Sequence, residues 1–367
     1  KELVDRYQVT VVLCTATQPA LEGDTPYFKD GFSLNTVLDI IDPNLAKGHF
    51  SQLRRVKYEL PKLGEAWTWQ DLKEQIPQEQ SSLVVLNTRR DAIEVLNILD
   101  VQPNKSIGLQ REKVDDVLKS TPVLLCGEHR RAVLTEVRRR LDQKEHCTLV
   151  STQVVEAGVD VDFPVVFRAL GPLDRIVQAA GRCNREGKLN AIGQLGRVVI
   201  FEPAAGSKPP AGEYAKAMDK ARNILQDPDF EESQLHEPDI FQHYFRHLYS
   251  VCGSDEKGIQ AMRQAWSFRE VGEKFKLIED NTVPVIIEYD ETVKNLLREI
   301  KRRGLWSGDR AKLQPYTVNL PRYLFTKTEA KQEIAPDLWQ WVGSYDPIFG
   351  ISWDETDDVP VYGYMWA

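Results

Sequence analysis

Residues 147–187 read CTLVSTQVVEAGVDVDFPVVFRALGPLDRIVQAAGRCNREG, and their reading decides the fold. The stretch opens on an apolar run that ends in Ser151-Thr152-Gln153, the pattern of a buried parallel strand with polar side chains at its carboxyl end. Ligands of parallel sheets bind just beyond such ends, where hydroxyls meet phosphate or sugar oxygens. Gly158 then permits close backbone approach, and Asp160 offers a carboxylate. A further strand is predicted at 164–168, followed by a helix capped by Asp174. Gln178, Arg182 and Arg185 are spaced four and three apart, which predicts that all three share one face of that helix. Two guanidinium groups projecting from one turn can grip a terminal phosphate and neutralise charge that develops during phosphoryl transfer. An arginine supplied in this way is worth about 10³ to 10⁵ in rate.

Outward from this stretch, short β-branched runs alternate with helical spacing up to about residue 205, the sign of a parallel sheet covered by helices. Strands are predicted near 9–14, 54–60, 82–87, 122–126, 146–152, 164–168 and 197–201, with helices at 91–99 and 128–141. The second helix carries Leu134, Val137 and Leu141 on one face and Arg130, Arg131, Arg138, Arg139 and Arg140 on the other. The run at 9–14 looks like a central strand, and a central strand needs neighbours, so more chain is expected before Lys1. Residues 203–211, rich in Pro, Ala and Gly, mark a boundary. Beyond them helical patterns dominate to about 270, then a strand at 283–287, a helix at 291–302 and aromatic-rich segments. The fold class is therefore α/β, a parallel sheet with helices on both faces, followed by a mainly helical C-terminal domain.

Composition narrows the function. Of 367 residues, 28% are charged and the net charge is −8, so any contact with nucleic acid is local rather than a general basic surface. The five cysteines are scattered without a CxxC pair, which argues against a zinc ribbon and a disulfide framework and for reduced thiols in the cytoplasm. No apolar run approaches the roughly 20 residues of a membrane span.

Several look-alikes are set aside. Gly181–Lys188 reads GRCNREGK, with five residues between its glycines, so it is no phosphate loop. VIIEYDE at 285–291 mimics an acidic strand end but reads as a C-terminal strand. His243 and His247, four apart and near His236, lack the third ligand of a zinc site and fit an amphipathic helix bearing Phe241, Tyr244, Phe245 and Leu248. Trp266, Phe268, Trp306, Tyr316, Trp339, Trp341 and Trp353 read first as packing, although exposed aromatics can stack on bases. An isolated RxxR would itself read as a solvated helix face. What lifts it is its place after STQVVEAGVDVD.

That order resembles motifs V and VI of superfamily-two helicases, with Cys14-Thr15-Ala16-Thr17 similar to their motif III. CTATQPALE at 14–22, LCGEHRRAVLTEV at 125–137, VSTQVVEAGVDVDFPVVFR at 150–168, QAAGRCNREG at 178–187 and LQPYTVNLP at 313–321 resemble the CRISPR-associated helicase/nuclease family of type I interference systems. The resemblance implies a RecA-like second helicase lobe at 49–205, with 1–48 closing a first lobe and 206–367 an accessory domain. It implies Arg182 and Arg185 as ATP-sensing arginines, with Gln178, Gly158 and Asp160 beside the nucleotide. Ser151, Thr152 and Asn87-Thr88-Arg89 follow as DNA contacts, and Thr15, Ala16 and Thr17 as the coupling segment. ATP and Mg2+ are expected as cofactors, held mainly by the first lobe, whose phosphate loop, magnesium carboxylates and nuclease site this sequence lacks. Expected partners are single-stranded DNA, the first lobe and nuclease domain, and an RNA-guided CRISPR surveillance complex, with no membrane. The alternatives are a stand-alone single-stranded DNA-binding or docking module without catalysis, and an RNA or repair helicase of the same superfamily.

Overall fold

A computed structural model describes residues 2–15, 17, 20–23, 31–32, 36–99, 117–119, 125–156, 158–206, 212–252, 255, 257–275, 282–346 and 350–351. In chain order the strands are β1 (Val56–Glu59), β2 (Ser82–Val85), β3 (Val117–Lys119), β4 (Thr148–Ser151), β5 (Val165–Ala169), β6 (Gly196–Phe201), β7 (Thr282–Ile286), β8 (Thr317–Pro321), β9 (Lys331–Ala335) and β10 (Leu338–Trp341). The helices are α1 (Glu2–Tyr7), α2 (Pro43–Gln52), α3 (Trp69–Gln75), α4 (Arg89–Ile98), α5 (Gly127–Asp142), α6 (Leu173–Ala180), α7 (Glu213–Leu225), α8 (Asp239–Val251), α9 (Ile259–Gln264), α10 (Phe268–Lys274), α11 (Glu291–Arg303), α12 (Asp309–Leu313) and α13 (Arg322–Lys327). They form two compact units, one of residues 1–67, 156–204 and 208–277, the other of 68–155, 205–207 and 278–367.

In the first unit β1, β6 and β5 run parallel, with Val56–Glu59 beside Gly196–Val199 and Val165–Ala169 beside Arg197–Phe201. Every residue of β5 is buried, as befits a strand covered on both faces. β1 alternates instead: Val56 and Tyr58 face inward, and exposed Glu59 takes Arg197 of β6 bidentately at 2.6 and 2.9 Å. Helix α6 buries Leu173, Ile176, Ala179 and Ala180, the i, i+3, i+6, i+7 stripe that seats it in the core. Tyr244 of α8 donates its hydroxyl to the Ala217 carbonyl of α7 at 3.3 Å, and Phe241 is buried with it, so the segment read as a decoy zinc site is a core helix.

In the second unit β2, β4 and β3 run parallel, with β2 and β4 buried throughout. Thr68 caps α3 through a reciprocal box with Asp71, and Thr88 caps α4 by accepting the Asp91 N–H at 3.1 Å. Helix α5 buries His129 and Val137, while Arg139 is neutralised locally by Glu136 and Glu145, each at 2.8 Å, Arg140 by Glu136 at 3.2 Å and Arg131 by Glu128. The C-terminal part adds a mixed sheet in the order β8, β7, β10, β9. Asp290 caps α11 by accepting the Val293 N–H at 3.0 Å, and Val293, Leu297 and Ile300 pack against Ile286, Leu313, Tyr316 and Leu338. The VIIEYDE segment is thus a strand and a helix cap.

Three expectations need correction or comment. No strand forms over 8–15, where Val9, Val11, Val12 and Leu13 are exposed, because no ladder partner reaches them among the described residues. The strand predicted at 122–126 falls largely outside the described residues; β3 lies earlier, and 125–126 lead into α5. Of the C-terminal aromatics, Tyr316 and Trp341 are core, Trp266, Phe268 and Trp306 are exposed, and Trp353 lies outside the described residues. No helix among the described residues is long and apolar enough to cross a membrane.

Candidate functional site

The arginine loop is built differently from the helical reading. Helix α6 begins after Pro172, with Asp174 inside its first turn rather than at the cap, and it stops at Ala180 with Gly181 as its C-cap. Arg182 and Arg185 therefore lie beyond the helix and do not share a face with Gln178. The chain is pulled off by a bridge to Phe163, whose N–H donates to the Arg182 carbonyl and whose carbonyl accepts from Asn184 N–H, both at 2.9 Å. Asn184 takes a left-handed backbone at φ 45°, a conformation asparagine tolerates. It is locked there by donating to the Arg55 carbonyl at 2.8 Å and Asn190 Oδ1 at 2.7 Å, and by accepting the Leu189 N–H at 3.0 Å. Gly196 makes room for this crossing, since a Cβ there would stand 2.6 Å from Cys183 Sγ.

Even off the helix, the two arginines converge with the first half of the motif. Arg185 Nη1 lies 2.6 Å from Asp160 Oδ1, and Arg182 Nη2 donates to the Glu156 carbonyl at 2.6 Å. Partial burial lowers the Arg182 pKa, and the positive charge of Arg185 lowers it further. Two like charges held together, with one partner a backbone carbonyl and the other an exposed carboxylate, form a site whose electrostatics an anion would relieve. Gly158 sits between these anchors at φ 70° with nothing within 4 Å of where a Cβ would stand. Gln178 stays on α6, its Oε1 accepting from Arg175 Nη1 at 3.4 Å.

The other predicted residues are distributed as follows. Ser151 and Thr152, both buried, end β4; Asn87 and Thr88, also buried, follow β2. β2 and β4 are adjacent strands, and Gln153 Nε2 donates to the Asn87 carbonyl at 3.4 Å, so the two segments meet at one carboxyl edge of the second unit. Arg89 opens α4. In the first unit Thr15 Oγ1 donates to the Thr17 carbonyl at 3.2 Å, and Thr17 is buried; Ala16 lies outside the described residues.

Sequence reasoning passed over the groups behind the loop. The Glu156 and Arg168 side chains are both fully buried and 3.0 Å apart, with Arg175 at 3.9 Å from the same carboxylate. Burial raises the Glu156 carboxyl to about 7, against the pull of Arg168 and Arg175. The signal was present in VVFR, because an arginine inside a fully buried strand demands a buried acid. Among the described residues no group of three or more His, Cys, Asp or Glu could hold a metal ion.

Residues 78–188, which span β2 to the end of the arginine loop, match the family described as CRISPR-associated nuclease/helicase Cas3, C-terminal. This segment is similar to the C-terminal part of Cas3. A Cas3 of Haloferax volcanii is 42% identical over 88 residues, 24% of this chain and 9% of that protein. A Cas3 of Methanothermobacter thermautotrophicus is 24% identical over 400 residues, 98% of this chain and 45% of that protein. The chain thus spans less than half the length of the Cas3 relatives it matches. The crystal structure of T. fusca Cas3 shares the fold at a TM-score of 0.50 and 14% identity, covering 85% of this chain and 42% of that one. The parallel strands and their helices are accordingly a RecA-like α/β arrangement of the Cas3 type.

Proposed function

We propose that this chain is the second motor lobe and C-terminal extension of a Cas3-type, ATP-dependent single-stranded DNA translocase, inactive as an ATPase until a first RecA-like lobe completes the site. The observation that carries the reading is the convergence of Arg182 and Arg185 on the Glu156 to Asp160 stretch, with Arg182 in the field of the Arg185 charge. The donor set fits the terminal phosphate of ATP, which supplies the phosphoryl group whose loss drives the motor. Arg185 binds and orients a phosphate oxygen as its exposed bond to Asp160 yields, and Arg182, tied to a backbone carbonyl, stabilises charge on the same group. Gln178 lies beside the nucleotide. Among the described residues no group of three or more His, Cys, Asp or Glu gathers here, and the magnesium ligands are assigned to the first lobe.

Within this proposal residues 1–48 close the first lobe, 49–205 form the second and 206–367 the accessory domain. Ser151, Thr152 and Asn87–Arg89 line the strand path at the carboxyl ends of β2 and β4, where parallel sheets place ligands. Thr15 to Thr17 couple the lobes. The partners are single-stranded DNA, the first lobe with its nuclease domain, and an RNA-guided surveillance complex.

The test is DNA-stimulated ATP turnover by the full-length parent protein. Arg182→Ala and Arg185→Ala each lower kcat by about 10³-fold or more with the fold intact. Turnover at the parent rate in both variants rejects the assignment.

A further inference from the structure

We propose that the buried Glu156–Arg168 pair is the positioning device for the arginine site, fixing the peptide from which Arg182 and Arg185 are held. The inference rests on the functional reading above. Glu156 contributes two groups to two places. Its backbone carbonyl takes Arg182 Nη2 at 2.6 Å, and two residues after Gly158 the Asp160 carboxylate takes Arg185 at 2.6 Å. Its side chain is held in the core, 3.0 Å from Arg168 on β5 and 3.9 Å from Arg175 on α6. Arg168 in turn donates to the Ala169 carbonyl at 2.5 Å and bonds to the side chain of Tyr214 on α7. A strand and a helix therefore converge on the residue whose carbonyl takes Arg182, and Arg168 is anchored in turn to α7.

Stability does not explain the pair. Apolar side chains of similar volume commonly serve a core as well as a buried ion pair does. The buried carboxylate, packed between Arg168 and Arg175, nevertheless restricts the Glu156 side chain and with it the peptide in a way a leucine does not. Groups that orient a site through others are positioning groups, and displacement of a catalytic group by about 1 Å costs on the order of 100-fold in rate. Glu156 and Arg168 touch no reacting atom.

The experiment uses the full-length parent protein and compares E156Q, E156L/R168M and E156A, with R182A as control, reading thermal stability, kcat and KM for ATP. E156L/R168M fills the core without charge and melts near the parent temperature, yet its kcat falls about 10- to 100-fold while KM for ATP changes by less than about threefold. E156Q, which retains an acceptor toward Arg168, keeps kcat within about threefold of the parent. Parent kcat in a stably folded E156L/R168M overturns the proposal. If that variant does not fold, E156A is assayed and normalised to its folded fraction, and parent kcat per folded molecule overturns the proposal equally. Undiminished turnover in R182A instead rejects the functional reading on which the inference stands.

Discussion

Asp160 Oδ1 lies 2.6 Å from Arg185 Nη1 with the aspartate side chain 72% exposed and the arginine 40% exposed. A pair this wet is a poor source of stability and an easily exchanged partner. Asp160→Asn is expected to leave unfolding in urea within about 0.5 kcal/mol of the parent while lowering ATP turnover roughly tenfold, as Arg185 loses the group that parks it. A stability loss above about 2 kcal/mol would mark the pair as structural instead.

The Glu156 carboxyl gives a pH signature. Burial raises it to about 7, above the value of an unfolded carboxyl, so between the two values the folded chain holds a proton that the unfolded chain has released. Its contribution to stability is complete below the ordinary carboxylate range and is lost as pH rises to about 7, at up to about 1.4 kcal/mol per pH unit. Urea unfolding of the parent and E156Q at several pH values isolates this slope. The parent loses stability relative to E156Q across that window; parallel curves contradict the assignment.

Gly196 governs the crossing between the arginines. A Cβ there meets Cys183 Sγ at 2.6 Å and Asn184 Cβ at 2.9 Å, and these two residues separate Arg182 from Arg185. Gly196→Ala should cost about 1–3 kcal/mol by overpacking and lower turnover as well. Gly158→Ala makes a contrasting control, since nothing lies within 4 Å and only its φ of 70° is strained, about 1–2 kcal/mol. Equal stability of G196A and the parent in urea would refute the crowding argument.

The second unit offers an independent check. The Tyr345 hydroxyl accepts the Cys126 N–H at 3.1 Å and stands 3.0 Å from His129 Nδ1, tying the start of α5 to the C-terminal segment. Tyr345→Phe strands a backbone donor and is expected to destabilise the protein by about 1–3 kcal/mol in urea, with kcat per folded molecule unchanged. A kcat loss exceeding the folded-fraction loss would contradict this division of labour.

What the sequence made legible follows from physics that is local. The buried strands β2, β4, β5 and β6 announce themselves as β-branched runs because both faces are covered. The run at 9–14 looks the same but is exposed, since an apolar run only becomes a strand when a partner supplies the ladder. The spacing of Arg182 and Arg185 predicts a shared helix face. Their real placement depends on Phe163, nineteen or more residues upstream, and on Gly196, neither of which a helical period can reveal. Arg182 and Arg185 are singled out by chemistry visible in the sequence, whereas the contact of Glu156 with Arg168 lies across the core and no local pattern reveals it.

The most direct measurement is the affinity of the full-length parent, R182A and R185A for ADP and for ADP with aluminium fluoride, a mimic of the phosphoryl group in transfer. If the arginines serve the terminal phosphate, ADP affinity stays within about threefold in both variants while affinity for the mimic falls about 100-fold or more. Equal affinities of all three proteins for the mimic, or an equal loss for ADP and the mimic, would contradict the account.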